Sequence, residues 1–174
     1  MSPLIETLNF VLSLGGIVLF LCALFLLFDL RKEQLLKVLV QRFGLLLAFS
    51  LALSGSLLTL LYSEIFGFIP CGLCWLQRVF LYPQIFLTGT ALWVKDKSIA
   101  LYGIVLSVPG LLVALYQHYL QMGGPNVLGC PAAGEGVNCA ERIMFEFGFM
   151  TFPLLSAIMF MFLISLFYYI HKTR

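Results

Sequence analysis

Residues 7–28 have the sequence TLNFVLSLGGIVLFLCALFLLF, which contains no charged side chain. A helix needs about 20 predominantly apolar residues to cross the roughly 30 Å hydrocarbon core of a bilayer. The alternation typical of barrel strands is absent from this run. Further charge-free runs occupy residues 43–63, 79–94, 98–117 and 147–170. The sequence therefore predicts five transmembrane helices.

The composition agrees with a membrane protein. Of the 174 residues, 61% are hydrophobic and 10% are charged, and the mean hydropathy is +1.04. Soluble domains contain roughly 45–50% apolar and about 25% charged residues, so a soluble domain and a disordered chain are both excluded. The net charge of +2 gives no indication of a nucleic-acid partner. We predict an all-α polytopic membrane protein.

The first apolar run could also belong to a cleaved signal peptide. Its leading residues 1–9 contain no Lys or Arg, whereas a signal peptide begins with basic residues and has a shorter apolar core. We therefore predict a retained helix over residues 1–30.

The basic residues predict the orientation of the helices. Eight of the ten Lys and Arg residues lie in the segments 29–42, 95–97 and 171–174. Because cytoplasmic loops are enriched in Lys and Arg, we place these segments and the carboxyl terminus in the cytoplasm. The amino terminus and the segments 63–78 and 119–146 then lie outside, in a multi-pass protein of the inner or plasma membrane.

Four of the five cysteines fall in the two segments that are predicted to be external. They are Cys71, Cys74, Cys130 and Cys139. The outer side of the membrane is the oxidising side, where disulfides form and persist. The fifth, Cys22, lies within the first apolar run, and we interpret it as a small buried hydrophobic residue.

Cys71 and Cys74 form a C-x-x-C motif after Pro70, a residue that suits the start of a helix. The run 79–94 alone would rise only about 24 Å, so we expect the third helix to begin near Pro70. Cys74 and Arg78 then share one helix face as positions i and i+4. The helix dipole and the guanidinium would both favour a thiolate on Cys74.

Arg78 would lie about one turn inside this helix, at the edge of the bilayer. A charge there is costly and indicates a functional role, and the alternative is an arginine that snorkels to the headgroups. A lipid-soluble quinone could reach this edge and accept electrons from Cys74. Arg78 would hold a quinone carbonyl and stabilise the anionic reduced form.

Cys130 and Cys139 flank a polar loop that contains glycine and proline. By spacing alone they could form a structural disulfide or a redox pair that exchanges with an external protein. A zinc site built from both cysteine pairs is disfavoured on the oxidising side, and we expect no metal. His118 lies at the outer end of the fourth run and could be an interfacial anchor or part of the site.

The stretch from Pro70 to Arg78, PCGLCWLQR, with Leu81-Tyr82-Pro83 after it, resembles the signature of the disulfide-bond formation protein B family, which comprises DsbB and BdbC-type relatives. The resemblance covers about residues 43–170. It continues at Tyr116-Gln-His118, at Cys139-Ala-Glu-Arg142 and at Phe147-Gly-Phe-Met-Thr-Phe-Pro153. The resemblance implies a four-helix bundle over 43–170 with an external loop at 119–146, and the helix at 1–30 is additional.

The resemblance also implies roles for the residues near the membrane edge. Cys74 corresponds to the cysteine that contacts the quinone, and Cys71 to its disulfide partner. Arg78 corresponds to the quinone-binding arginine, and His118 to a histidine near the quinone. The implied cofactor is ubiquinone or menaquinone, between which the sequence does not discriminate.

The loop pair is implied to oxidise an extracytoplasmic DsbA-like protein with a thioredoxin fold. Cys130 would form the mixed disulfide with this partner, and Cys139 would return electrons toward Cys71. The implied activity is that of a protein-dithiol:quinone oxidoreductase that supports disulfide bond formation.

Two other functions are compatible with parts of the pattern. A structural membrane protein could use both cysteine pairs as stabilising disulfides. A vitamin-K-epoxide-reductase-like enzyme has a related plan, but its C-x-x-C follows the loop pair, whereas here the C-x-x-C comes first. That order disfavours the third interpretation.

Overall fold

The computed structural model describes residues 3–31, 36–130 and 138–173. Residues 131–137 of the predicted external loop and the terminal Arg174 lie outside the described part. Within it, the only β-structure is an isolated bridge between Glu146 and Met150. The five helices are α1 (Pro3–Arg31), α2 (Lys37–Leu60), α3 (Gly72–Val94), α4 (Ala100–Gln121) and α5 (Phe152–Thr173). The predicted all-α class is confirmed.

Short helical turns extend two of these helices. A π-helical turn, Leu61–Ile65, continues α2, and a 3₁₀ turn, Lys97–Ile99, precedes α4. With these extensions, four segments among the described residues are long and apolar enough to cross a membrane. They are Pro3–Asp29, Lys37–Ile65, Lys97–Gln121 and Phe152–Thr173. This result agrees with a multi-pass membrane protein.

The remaining helix, α3, is long enough to span a bilayer but is less apolar. Its 23 residues rise about 34 Å. It begins where the sequence predicted, directly after Cys71. The polar residues Gln77, Arg78 and Gln84 lower its hydropathy, and all three are buried inside the protein. The polar face of α3 is therefore turned toward the other helices.

Helices α2 to α5 form a four-helix bundle in which each helix packs on the next and α5 packs back on α2. Close approach of α4 to α5 depends on two glycines. A β-carbon at Gly103 would lie 2.5 Å from the ring of Phe167, and one at Gly110 would lie 2.6 Å from the ring of Phe160. Small residues of this kind allow apolar helices to pack tightly without a hydrophobic driving force.

The additional helix α1 packs along the outside of α5. Its buried face carries small or polar residues that include Asn9, Ser13 and Ala23. Near the end of α1, Asp29 accepts hydrogen bonds from the hydroxyl of Tyr169 and from the backbone N–H of Leu36. Helix α1 is thereby joined both to α5 and to the start of α2.

Helix α5 begins at Phe152, five residues after the start of the predicted run at 147. Residues before it form a tight turn, closed by the reciprocal backbone hydrogen bonds between Glu146 and Met150. Phe147 and Gly148 both have positive φ angles, 54° and 76°. A helix cannot continue through such angles, so α5 begins later than the charge-free run in which it was predicted.

Candidate active site

The C-x-x-C motif forms the amino-terminal end of α3. Cys71 is the N-cap residue, and its Sγ accepts a hydrogen bond from the backbone N–H of Cys74 at 3.3 Å. The two sulfur atoms lie 2.9 Å apart and are not bonded to each other. Cys71 is buried and Cys74 is partly exposed. The helix thus holds both sulfurs at its N-terminus, where a negative charge on sulfur is stabilised.

The side-chain amide of Gln117 on α4 bridges the two sulfur atoms. Its Nε2 donates to Cys71 Sγ at 3.1 Å and to Cys74 Sγ at 3.2 Å. Its Oε1 accepts a hydrogen bond of 2.6 Å from Nε2 of Gln77, and both glutamines are buried. The bond from Gln77 fixes the orientation of the amide, so that its N–H groups face the sulfurs.

Substitution of Gln117 by leucine is expected to slow oxidation of an external dithiol by about tenfold or more. Hydrogen bonds to charged groups contribute roughly 1.5–3 kcal/mol, and the variant removes the donor to a Cys74 thiolate. A steady-state assay of dithiol oxidation measures the effect. Gln84→Leu, a buried glutamine on the same helix as the cysteines, is the control, and equal rates for the two variants would contradict this role.

Arg78 follows the motif by one helical turn and is almost completely buried, with 6% of its surface exposed. Its Nη2 donates to the carbonyl oxygen of Thr59 at 2.8 Å. Its guanidinium lies over the ring of Trp75, 4.9 Å from the centroid. Within the described part of the chain, nothing accepts a hydrogen bond from Nη1. A buried cation with an unused donor indicates a position for an oxygen of a ligand.

Thr59 lies just before the π-helical turn at the end of α2. Turns of this type shift the register of backbone groups and occur often at functional sites. The hydroxyl of Thr59 also contacts the hydroxyl of Tyr82 on α3 at 3.0 Å. These contacts link α2 to α3 and fix the guanidinium of Arg78 in position.

A cavity of about 490 Å³ opens beside these residues. This volume lies in the usual range for small-molecule sites, about 300–1,000 Å³. The cavity wall includes Cys71, Cys74, Gln77, Arg78 and Gln117 at one end, and mostly apolar residues elsewhere. The cysteine pair and the arginine therefore share one largely apolar cavity.

Cys130 and Cys139 form a disulfide with a Cα–Cα distance of 5.9 Å. Cys139 is 1% exposed, whereas Cys130 is partly exposed. Cys139 belongs to the same buried cluster as Cys71 and Leu120, and Cys74 and Cys130 pack against that cluster. The structure brings the four predicted cysteines together at one end of the bundle.

Side chains of α4 hold both ends of the external loop. The hydroxyl of Tyr116 accepts from the backbone N–H of Leu128 and contacts Asn126. After the disulfide, Gln121 donates to the carbonyl of Glu141 at 2.7 Å. Arg142 donates to the carbonyl of Gln121. These contacts account for much of the Cys139-Ala-Glu-Arg142 motif, because they seat Cys139 against α4.

The structure places two other residues away from the sulfurs. His118 Nδ1 lies 2.8 Å from Oγ1 of Thr151, the residue before α5, and His118 is not part of the cavity wall. Its proximity to a quinone stays a prediction. Cys22 is exposed on α1 and is a free cysteine, so its interpretation as a buried residue is wrong. The residue faces outward because α1 uses other positions to pack on α5.

Gln77 and Gln117 were not singled out from the sequence, although both lie within the motifs that carry the resemblance. The sequence did contain a signal for these two glutamines, because a side-chain amide inside an apolar span is costly unless it is hydrogen-bonded. Gln77 also follows Cys74 by three residues, on nearly the same helix face.

Comparisons with known proteins agree with this geometry. A family model for the disulfide bond formation protein DsbB matches residues 41–170. The chain is 39% identical over 122 residues to the SPbeta prophage-derived disulfide bond formation protein B of Bacillus subtilis, which covers 70% of this chain and 80% of that protein. It is 35% identical over 113 residues to disulfide bond formation protein C of the same organism, with 65% and 81% covered.

A third relative is the probable disulfide formation protein C 2 of Bacillus anthracis, which is 30% identical over 129 residues, 74% of this chain and 91% of that protein. No solved structure matches the chain. The family match covers the four-helix bundle and leaves α1 outside. The chain therefore belongs to the DsbB family of membrane proteins for disulfide bond formation.

Proposed function

We propose that this protein is a protein-dithiol:quinone oxidoreductase that reoxidises an extracytoplasmic protein with a thioredoxin fold. The observation that supports the proposal most strongly is the shared cavity. Cys74 and Arg78 both line one largely apolar space, and the buried Nη1 of Arg78 has no acceptor among the residues that the structure describes. A group with an apolar body and a hydrogen-bond-accepting oxygen fits this space.

The reaction would begin at the loop disulfide. A thiolate of the partner attacks Cys130, the more exposed of the two sulfurs, and breaks the bond between Cys130 and Cys139. A mixed disulfide forms and Cys139 leaves as a thiolate. The second thiol of the partner then displaces Cys130, so that the partner departs with its own disulfide.

The electrons would next pass to the C-x-x-C motif, which takes part in its oxidised form. The Cys139 thiolate attacks Cys71, its neighbour in the buried cluster, and releases Cys74 as a thiolate. Attack of Cys130 on Cys139 restores the loop disulfide and leaves Cys71 and Cys74 reduced. Gln117 stabilises negative charge on either sulfur through its two N–H contacts.

The residues around Cys74 fit a membrane quinone, either ubiquinone or menaquinone. When bound, the quinone supplies a two-electron, two-proton acceptor that restores the disulfide between Cys71 and Cys74. Nη1 of Arg78 would donate to one of its oxygens, and the apolar wall would exclude water. The net reaction converts the partner's dithiol to a disulfide and the quinone to a quinol.

The proposal is tested with a thioredoxin-fold protein that retains only its nucleophilic cysteine. Mixed with the oxidised protein, it should form a disulfide-linked adduct that maps to Cys130, because that sulfur is the accessible one. Non-reducing electrophoresis and mass spectrometry detect the adduct. Absence of an adduct with wild type, or an undiminished adduct with Cys130→Ser, would favour a purely structural role for the loop disulfide.

The proposed relay also requires both cysteine pairs on the extracytoplasmic side. A membrane-impermeant maleimide should label Ala132→Cys in intact cells and should leave Lys97→Cys unlabelled until the membrane is permeabilised. The labelling of the parent protein corrects for its native thiols. Labelling of Lys97→Cys alone would reverse the proposed topology.

A further inference from the structure

Helix α1 contributes a wall to the cavity even though it lies outside the residues that the family model matches. Its lining residues are Val11, Leu12, Gly15, Gly16 and Leu19. These positions recur at the spacing of one helix face over about 12 Å of rise. The cavity is therefore completed by an element that is additional to the family's four-helix bundle.

The cavity runs away from the cysteines between α1 and α2. Its lining on α2 and on the π-helical turn that follows extends from Leu51 to Ser63, about 18 Å along the helix axis. At the cysteine end, α1 is fixed to this wall because the hydroxyl of Tyr62 donates to Asn9 Oδ1 at 2.6 Å. Toward the cytoplasmic end, the lining residues Leu19, Leu51 and Met159 are apolar. The space is thus polar at the proposed site of electron transfer and mostly apolar along its length, where Ser54 and Ser156 also line it.

We propose that α1 forms one side of a binding site for the isoprenoid tail of the membrane quinone. This inference rests on the proposed function, which places the quinone ring between Cys74 and Arg78. A tail attached to that ring must leave the polar end, and the apolar channel between α1 and α2 is continuous with it. An isoprenoid tail is apolar, so a channel with apolar walls on both sides suits it.

Gly15 is the position at which α1 leaves most room. A β-carbon at Gly15 would have no heavy atom within 4 Å, whereas one at Gly16 would lie 2.6 Å from Cδ1 of Leu155. Gly16 therefore packs against Leu155 of α5, whereas Gly15 faces open space beside the channel. A large side chain at position 15 would occupy the space of the tail without disturbing the contact between α1 and α5.

The first test compares quinones with and without a tail in the variant Gly15→Phe. The KM for a quinone with an isoprenoid tail should rise about tenfold, the order expected for an overfilled apolar site. The KM for a tail-less quinone and the rate of adduct formation at Cys130 should be unchanged. Leu14→Phe, at an exposed neighbouring position outside the cavity wall, is the matched control and should behave as wild type.

The second test measures binding without turnover. A quinone that carries a diazirine on its tail is photolysed with the purified protein, and labelled peptides are identified by mass spectrometry. Label should appear on residues 11–19, and an excess of unlabelled tailed quinone, but not of phospholipid, should remove it. Label that is displaced equally by phospholipid indicates that the channel holds acyl chains, and this result would overturn the inference.

The outcomes also separate this inference from the proposed function. Quinone reduction that is normal in Gly15→Phe, together with a tail label confined to other helices, refutes the role of α1 and leaves the oxidoreductase intact. Failure of wild type to reduce any quinone refutes both.

Discussion

Substitution of Cys74 by serine should abolish quinone-dependent oxidation of an external dithiol. The sulfur of Cys74 lies at the helix N-terminus, contacts Gln117 and lines the cavity. A serine hydroxyl fits the same space, but it neither forms a disulfide with Cys71 nor ionises at neutral pH. The rate is measured as loss of free thiols from a reduced thioredoxin-fold protein in the presence of quinone.

The matched control for this variant is Cys22→Ser. Cys22 is also a free cysteine, but it lies on the exposed face of α1, so its loss should leave the rate unchanged. The loop disulfide of Cys74→Ser should still form the adduct at Cys130, which shows that the variant is folded. Wild-type turnover by Cys74→Ser would remove the C-x-x-C motif from the electron path.

Substitution of Arg78 by alanine should lower kcat/KM for quinone by about 100-fold or more, the usual loss when a donor to a developing negative charge is removed. The guanidinium uses Nη2 to hold the carbonyl of Thr59, and in the proposed site Nη1 would donate to the quinone oxygen. Arg78→Lys keeps the charge but not the two-pronged geometry, so its rate should fall between those of alanine and wild type. Quinone titrations at fixed dithiol concentration give these values.

Arg42→Ala controls for the loss of an arginine, because Arg42 packs over Phe43 and lies outside the cavity wall. Disulfide exchange at Cys130 should be close to wild type in Arg78→Ala if its effect is confined to quinone use. An unchanged apparent quinone affinity in Arg78→Ala would show that Arg78 serves only to join α3 to α2 through the carbonyl of Thr59.

Much of the fold could be predicted from the absence of charge. A helix occupies most of each of the five charge-free runs, and the need for length correctly placed the start of α3 beside Cys71. The start of α5 was predicted too early because the turn at Phe147 and Gly148 contains no charge either. Charge patterns report burial in a membrane, whereas positive φ angles depend on local backbone contacts.

The cysteines and Arg78 could be found because their chemistry is visible in local spacing. The contact between Gln117 and the two sulfurs could not, because it joins residues 43 and 46 positions apart and depends on how α3 and α4 face each other. The contribution of α1 to the cavity wall could not be predicted from local spacing either. It follows from the packing of α1 on α5, which the apolar sequence of α1 does not specify.

The central claim is that electrons from an external dithiol reach a quinone through this protein. The most direct measurement mixes the purified oxidised protein in detergent with quinone and a reduced thioredoxin-fold protein, and follows quinone absorbance and free thiols together. We predict loss of one quinone for each dithiol oxidised, at a rate that depends on Cys74. Oxidation of the dithiol only up to the amount of loop disulfide present, with no change in quinone absorbance, would contradict the account.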